Sequence, residues 1–187
     1  LQHQDGHSHS FAATIPNCVS YDPAYAYELA VIIQRGLVHM FVEQAPMFYY
    51  ITVMNEAYEQ PAMPAGVEQD IIKGMYCLES DNSTSARRIR LLGSGTLLRE
   101  ALAAAAILRD EYSVAVQVWS VTSYTELARD VEDVSRWNML HVDQPARRSH
   151  VDECMQGADV WQDAPVVAVS DYIKASVEPL RGAISAP

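Results

Sequence analysis

A histidine-rich octet near the start of the 187-residue chain holds its densest group of reactive side chains. Residues 2–9 read QHQDGHSH, with imidazoles at His3, His7 and His9 and a carboxylate at Asp5. Imidazoles change charge near neutral pH, so they can give or take a proton during a reaction. They can also hydrogen-bond a substrate carboxylate or a developing oxyanion. The octet is therefore the first candidate for a catalytic site.

Spacing alone leaves three interpretations of the octet open. The imidazoles could form a substrate site, the octet could be a disordered histidine-rich start, or His3, His7 and His9 could hold a divalent metal with Asp5. In an extended strand, residues 3, 5, 7 and 9 would project to one side. In a loop, Gly6 would permit a turn that other residues resist.

Two other features carry weaker signals. The tripeptide Gly93-Ser94-Gly95 between a predicted strand and a predicted helix could cradle a phosphate. It lacks the third glycine of the dinucleotide-binding motif, and no Lys-Ser or Lys-Thr pair follows, so a plain turn is favoured. The isolated His39, His141 and His150 are predicted to be surface or hydrogen-bonded histidines, not ligands.

Composition excludes several classes of function. A net charge of -11 and a pI near 4.8 argue against nucleic-acid or anionic-membrane partners, since phosphate binding needs clustered basic residues. No apolar run approaches the roughly 20 residues of a membrane span. Three widely spaced cysteines without a CxxC pair favour a reducing, cytoplasmic compartment. Because the chain opens on Leu1 and directly on its richest motif, we expect a piece of a longer protein.

The first third of the chain predicts one helix and one buried strand. Asp22 followed by Pro23 is typical of a helix start, and an amphipathic helix is expected from there, ending at Gly36 or continuing past it. The run FYYITVM at residues 48–54 predicts a strand buried on both faces of a parallel sheet. Residues 55–69 have no apolar period and predict a linker.

The rest of the chain predicts a series of strands and helices. Residues 71–78 are ambiguous between helix and strand. Strand 89–92, helix 96–110 and strand 114–121 form the clearest unit, a right-handed parallel crossover. Helices are expected at 124–138 with Ser123 as cap, at 150–155 and at 172–181, and a strand at 165–169. The pattern predicts an α/β, three-layer architecture with mainly parallel sheets.

Several stretches together resemble one enzyme family. The octet is followed in order by TIPNCVSYDPAYAYELAVI, FYYITVMNEAYEQPAMP, LLGSGTLLREA, VWSVTSYTELARD and RWNMLH. This series resembles the homodimeric, bacterial type of pyruvate dehydrogenase, the thiamin-dependent first component of a multienzyme complex, from residue 1 to about residue 181. A more distant resemblance is to transketolase.

The resemblance implies a domain organisation. Residues 1–66 would be the C-terminal part of the domain that binds the aminopyrimidine of thiamin diphosphate, followed by a linker. Residues 67–187 would be an incomplete transketolase-like C-terminal domain. Thiamin diphosphate and Mg²⁺ would be held mainly by parts of a longer protein, so no cofactor-binding or metal-binding residue is assigned in this chain.

The resemblance also implies an activity and its residues. The parent enzyme would decarboxylate pyruvate oxidatively and transfer the acetyl unit to the lipoyl-bearing dihydrolipoyl acetyltransferase component, working as a homodimer, whereas the isolated chain would be inactive. The family pattern D-G-x-S-H matches Asp5, Gly6, Ser8 and His9. It makes His9 the first catalytic candidate, Asp5 the second and His7 the third.

Two departures from the family pattern leave an alternative open. Gln4 stands where the family usually has a glutamate, which could lower the proton affinity of the histidines. Val131 stands where a glycine is usual, and would strain a turn at that position. The alternative is a non-catalytic α/β module for dimerisation or regulation, from a divergent or decayed copy. In either case we expect apolar faces that make the free chain self-associate.

Overall fold

The computed structural model describes residues 5–81, 85–156 and 159–184. Over these ranges the chain is a mixed α/β protein with mainly parallel strands, which confirms the predicted fold class. No helix within them is long and apolar enough to cross a membrane.

The first part of the chain forms a pair of parallel strands with two helices. Strand β1 pairs with β2, so that Cys18 lies opposite Phe48 and Tyr21 opposite Ile51. A π-helical turn at Val38–Val42 extends the second helix. The elements are α1 (Ser8–Ala13), β1 (Cys18–Tyr21), α2 (Ala26–Leu37) and β2 (Phe48–Ile51).

The second part forms a four-stranded sheet in the order β3-β5-β4-β6. Strand β3 is antiparallel to β5, and the β5-β4 and β4-β6 pairs are parallel. The β4-α4-β5 unit confirms the predicted parallel crossover. The elements are α3 (Glu68–Lys73), β3 (Met75–Ser80), β4 (Arg88–Gly93), α4 (Leu97–Tyr112), β5 (Ala115–Val121), α5 (Tyr124–Leu140), α6 (His150–Met155) and β6 (Val166–Val169).

Helices cover both faces of the larger sheet. On one face α4 packs Leu98 and Ala101 against Val116 and Val118 of β5. Because side chains alternate along a strand, Trp119 and Val121 point to the other face, where they meet α5 and α6. This sandwich of helix, sheet and helix is the three-layer arrangement that the alternating pattern predicted.

A third apolar cluster joins the two parts of the chain. Val19 and Tyr21 of β1 and Ile32 of α2 pack with Ile71 of α3 and Tyr76 of β3. Ile32 and Ile71 are completely buried. The two sheets are therefore held together by a shared core.

The predicted start of α2 was wrong. The helix begins at Ala26, because the Asp22 carboxylate accepts a hydrogen bond from Thr52 and does not cap the helix. The free N–H groups of Ala24 and Tyr25 are instead bound by Glu28. Gly36 lies inside the helix, against the Tyr49 ring.

Three further expectations need correction or completion. Strand β2 ends at Ile51 and is only half-buried, since β1 is its one partner within the described residues. The ambiguous stretch 71–78 is both helix and strand, divided by Gly74 at φ 115°. Residues 172–181 form two short 3₁₀ turns and not the predicted helix, because Pro179 lacks the N–H that an α-helix needs.

The predicted strain at Val131 is absent. Val131 lies in the middle of α5, where its backbone is helical, and it packs against the core beneath that helix. A helical position accepts valine at a small cost in propensity and needs no positive φ.

Candidate active site

Polar residues follow the carboxyl ends of four parallel strands. Asp22 follows β1, Thr52 follows β2, Ser94 follows β4 and Ser170 follows β6. In open α/β sheets, ligands bind at the carboxyl ends of the strands. The carboxyl ends of the two sheets face each other. Asp22 follows β1 and Thr122 follows β5, and the N–H of Asp22 donates to the carbonyl oxygen of Thr122 at 2.8 Å.

The octet bends into α1. One Asp5 carboxylate oxygen accepts the N–H groups of His7 at 3.1 Å and Ser8 at 3.0 Å, and the other accepts the Ser8 hydroxyl. Its slight burial would raise the pKa of Asp5, but these hydrogen bonds outweigh burial and lower the pKa below the usual value. The extended octet is thereby excluded over residues 5–9, and Asp5 serves as the acceptor that starts the helix.

His9 is the one predicted catalytic residue that is buried. Its side chain is 7% exposed, and Nε2 lies 3.0 Å from the Thr52 hydroxyl. The rings of Tyr50 and Tyr172 stand edge-on to the imidazole, with centroids 5.5 and 4.5 Å away. Burial lowers the pKa of His9, and the Asp5 charge offsets this only in part. Burial therefore favours the neutral form of the imidazole.

The other described octet residues are more exposed than His9. His7 and Asp5 are exposed. His3 and Gln4 fall outside the described residues, so the four-ligand metal arrangement cannot be placed as a whole. Within the described part of the chain, no group of three or more His, Cys, Asp or Glu side chains could hold a metal ion.

Asp22 lies behind His9 and was missed as a site residue. Its Oδ1 accepts the Thr52 hydroxyl at 2.7 Å. Burial raises the pKa of Asp22 to about 6, against the opposing effect of hydrogen bonds from Thr52 and Ser94. Strand β1 has only four residues and gives no periodic sequence signal, so the sequence did not place Asp22 at a strand end. The Asp-Pro pair was therefore interpreted as a helix cap.

A small cavity adjoins His9. Its volume is about 20 Å³, enough for roughly one water molecule, and its lining includes His9, Asp22, Ser94 and Tyr172. Tyr124 also lines it, and the buried hydroxyl of Tyr124 has no hydrogen-bond partner among the described protein atoms. The cavity is thus polar and small, and fits a water or a proton-carrying group better than a large ligand.

The Gly93-Ser94-Gly95 turn packs against a carboxylate. The Gly95 N–H donates to the Asp22 carbonyl oxygen at 3.0 Å. A Cβ added at Gly95 would lie 2.5 Å from Oδ2 of Asp22, so only glycine fits there. A carboxylate in this place would repel a bound phosphate, which favours the plain-turn interpretation.

The three isolated histidines have protein partners. His39 Nδ1 lies 3.0 Å from the Tyr49 hydroxyl, His141 Nδ1 lies 2.8 Å from a carbonyl oxygen of its own helix, and His150 Nε2 lies 2.9 Å from the Met75 carbonyl oxygen. These contacts agree with their interpretation as hydrogen-bonded histidines.

Glu28 is a buried carboxyl side chain that the sequence analysis did not single out. It is 0% exposed. Its Oε2 accepts the N–H groups of Ala24 at 2.6 Å and Tyr25 at 2.9 Å, and its Oε1 accepts the hydroxyls of Tyr76 at 2.7 Å and Ser120 at 2.6 Å. One carboxylate therefore ties the segment after β1 to two strands of the larger sheet.

Comparison with known proteins identifies two matching families. Residues 1–61 match the model of the pyruvate dehydrogenase E1 component middle domain, and residues 74–186 match the transketolase-like C-terminal domain. Solved structures agree in fold: transketolase from Pichia stipitis in complex with sedoheptulose 7-phosphate has a TM-score of 0.56 at 15% identity, over 90% of this chain and 20% of that one. Transketolase from Leishmania mexicana has a TM-score of 0.54 at 15% identity, over 94% and 21%. The chain belongs to the transketolase-like family of α/β proteins.

The curated relatives that the chain matches are pyruvate dehydrogenase E1 components. It is 55% identical over 181 residues to the E1 component of Pseudomonas aeruginosa, which is 97% of this chain and 20% of that protein. It is 51% identical over 182 residues to the E1 component of Escherichia coli K12, again 97% and 20%. The chain thus spans about a fifth of the length of these relatives.

Proposed function

We propose that the chain is part of a pyruvate dehydrogenase E1 component that oxidatively decarboxylates pyruvate with thiamin diphosphate and passes the acetyl unit to a lipoyl group. The observation that carries this proposal is His9, a buried imidazole at the carboxyl end of β2, in a chain about half identical to proteins named E1 components. A site at the strand ends suits a small substrate.

His9 would be the residue that faces the substrate. When thiamin diphosphate is bound, it supplies the carbanion that adds to the keto carbon of pyruvate. The keto oxygen then gains negative charge, which an imidazole can stabilise by a hydrogen bond or a proton. Asp5 would hold the turn that positions His9. The exposed His7 stays the third candidate, because it could contact a substrate that another domain covers.

The donor set of the described residues does not fit a Mg²⁺ site. Mg²⁺ prefers an octahedron of oxygen ligands, and the described residues contain no group of acidic side chains that could hold a metal. As the family resemblance implies, we propose that Mg²⁺ and the diphosphate are held mainly by other parts of a longer protein, and we assign no residue of this chain as a ligand of either.

The remaining expectations belong to the same proposal. A domain boundary near residues 66 and 67 is supported by the stretch between β2 and α3, which contains no helix or strand. A homodimer, a lipoyl-bearing dihydrolipoyl acetyltransferase partner and a cytoplasmic location follow from the proposed role as an E1 component.

The test uses the longer protein that contains this chain. His9→Gln should lower thiamin-dependent decarboxylation of pyruvate by about 100-fold or more, as expected for loss of a general acid or base, while cofactor affinity is unchanged. His7→Gln is the matched control on the exposed neighbour and should lower activity less. A native protein that binds no thiamin diphosphate and consumes no pyruvate would refute the enzyme and favour the dimerisation or regulatory module.

A further inference from the structure

Thr52 is the point at which the polar contacts of the site converge. Its hydroxyl oxygen lies 3.0 Å from His9 Nε2, 2.7 Å from Asp22 Oδ1 and 3.3 Å from the Tyr21 carbonyl oxygen. Three groups thus compete for one proton and two lone pairs.

The available hydrogens determine the direction of each hydrogen bond at the Thr52 hydroxyl. A carbonyl oxygen and an ionised carboxylate only accept, so the 2.7 Å contact between Thr52 and Asp22 needs the single Thr52 proton. Turning that proton toward His9 would leave the Thr52 and Asp22 oxygens 2.7 Å apart with no hydrogen between them. Such a contact between two acceptors is repulsive, so Thr52 must accept from His9, and Nε2 must carry a hydrogen.

We propose that Thr52 and Asp22 are positioning residues that hold His9 in the tautomer protonated on Nε2, which leaves Nδ1 as the nitrogen that gains and loses a proton. The tautomer follows from the contacts of this chain alone, whereas its use in a reaction rests on the function proposed above. Asp22 acts through Thr52 and need not touch the substrate.

The neighbouring rings support a fixed orientation. Tyr50 and Tyr172 stand edge-on to the imidazole from two sides, and Thr52 holds its Nε2 edge. The ionisable groups that face the ring are Asp5, Tyr50 and Tyr172, with Asp22 behind Thr52. In a reaction cycle, Nδ1 takes one proton and later returns it, and Nε2 keeps its hydrogen and donates it to Thr52.

The tautomer can be measured without any catalytic assay. Ring-¹⁵N-labelled histidine in the 187-residue chain, observed by two-bond ¹H–¹⁵N correlation at pH 8, distinguishes a protonated nitrogen from one with a free lone pair. The His9 signals are assigned by their loss in His9→Gln. Thr52→Val removes the hydroxyl with little change of shape, and Thr52→Ser is the control that restores it. Far-UV circular dichroism checks that each variant folds.

We expect the Nε2-protonated form to dominate in the native chain, and an acid titration to move the Nδ1 resonance. In Thr52→Val the balance should shift about fivefold toward the Nδ1-protonated form, because a net hydrogen bond is worth about 1 kcal/mol. Thr52→Ser should return it to the native value.

Each contrary result has a definite meaning. A dominant Nδ1-protonated form in the native chain would overturn the proposal, whether or not the valine variant folds. An unchanged tautomer balance in a folded Thr52→Val would overturn the positioning role of Thr52. If the tautomer is as expected but His9→Gln leaves the longer enzyme fully active, then the proposed function of His9 fails and the positioning role stands.

Discussion

Glu28 offers the strongest test of how the two sheets are joined. Its carboxylate accepts four hydrogen bonds, two from backbone N–H groups and two from hydroxyls. In Glu28→Ala the Tyr76 hydroxyl can turn to Tyr27, 2.5 Å away, but Ser120 and both N–H groups lose their acceptor. At about 1–3 kcal/mol for each of these three unsatisfied buried groups, the loss in free energy of unfolding should be about 3–9 kcal/mol.

Glu28→Gln should cost much less. The glutamine carbonyl oxygen can accept both N–H groups while its amide donates to the two hydroxyls, so every partner stays satisfied. Only the charge assistance is lost, for which we expect about 1–2 kcal/mol. Urea unfolding followed by far-UV circular dichroism measures both variants, with Glu43→Gln in an exposed ion pair as a control that should hardly change the curve. Equal losses in Glu28→Ala and Glu28→Gln would refute this account.

Three other perturbations follow from the described contacts. Because burial raises the pKa of Asp22 to about 6, its ionisation weakens the native state as pH rises from about 4 to 6. Asp22→Asn should therefore gain stability relative to the native chain over that interval, by at most about 3 kcal/mol in urea unfolding, and a flat difference would contradict the assignment. Gly95→Ala, at φ 46° and 2.5 Å from the Asp22 carboxylate, should lose about 3 kcal/mol in the same assay. The control Gly66→Ala, at φ 81° with nothing within 4 Å, should lose about 1 kcal/mol, and equal losses would exclude the close contact as the cause. Phe41 and Val42 are 73% and 75% exposed on the π-helical turn, so the chain should self-associate and Phe41→Glu should weaken that association in sedimentation velocity. A native chain that stays monomeric at every concentration would count against this last expectation.

Local signals were enough to predict the β4-α4-β5 unit. An apolar run, a tight glycine turn and an alanine-rich helix each report their own structure within a few residues. The Ser123 cap was predicted for the same reason, and its hydroxyl does accept the Glu126 N–H at 3.0 Å. His9 was also proposed from local signals, through the octet and its family pattern.

Features that depend on distant partners were not predictable from one sequence. Strand β1 has four residues and exists because it pairs with β2, thirty positions further along the chain in register. The role of Asp22 depends on Thr52, and the neutral form of His9 is favoured by burial beneath Tyr50 and Tyr172. From the sequence alone, Glu28 is expected on the surface of an amphipathic helix. It is buried because the distant residues Tyr76 and Ser120 hydrogen-bond it.

The segment from Tyr21 to Glu28 continues from the smaller sheet and is hydrogen-bonded to the larger one, so it should couple the unfolding of the two sheets. Residues 1–61 and 74–186 match two separate families, so the sequence is modular. If this segment left the larger sheet, the Glu28 carboxylate would lose its hydrogen bonds to that sheet. The segment cannot leave the smaller sheet because it continues directly from β1. The slowest-exchanging amides of the two sheets should then share one opening event, so that two evolutionary modules behave as a single cooperative unit.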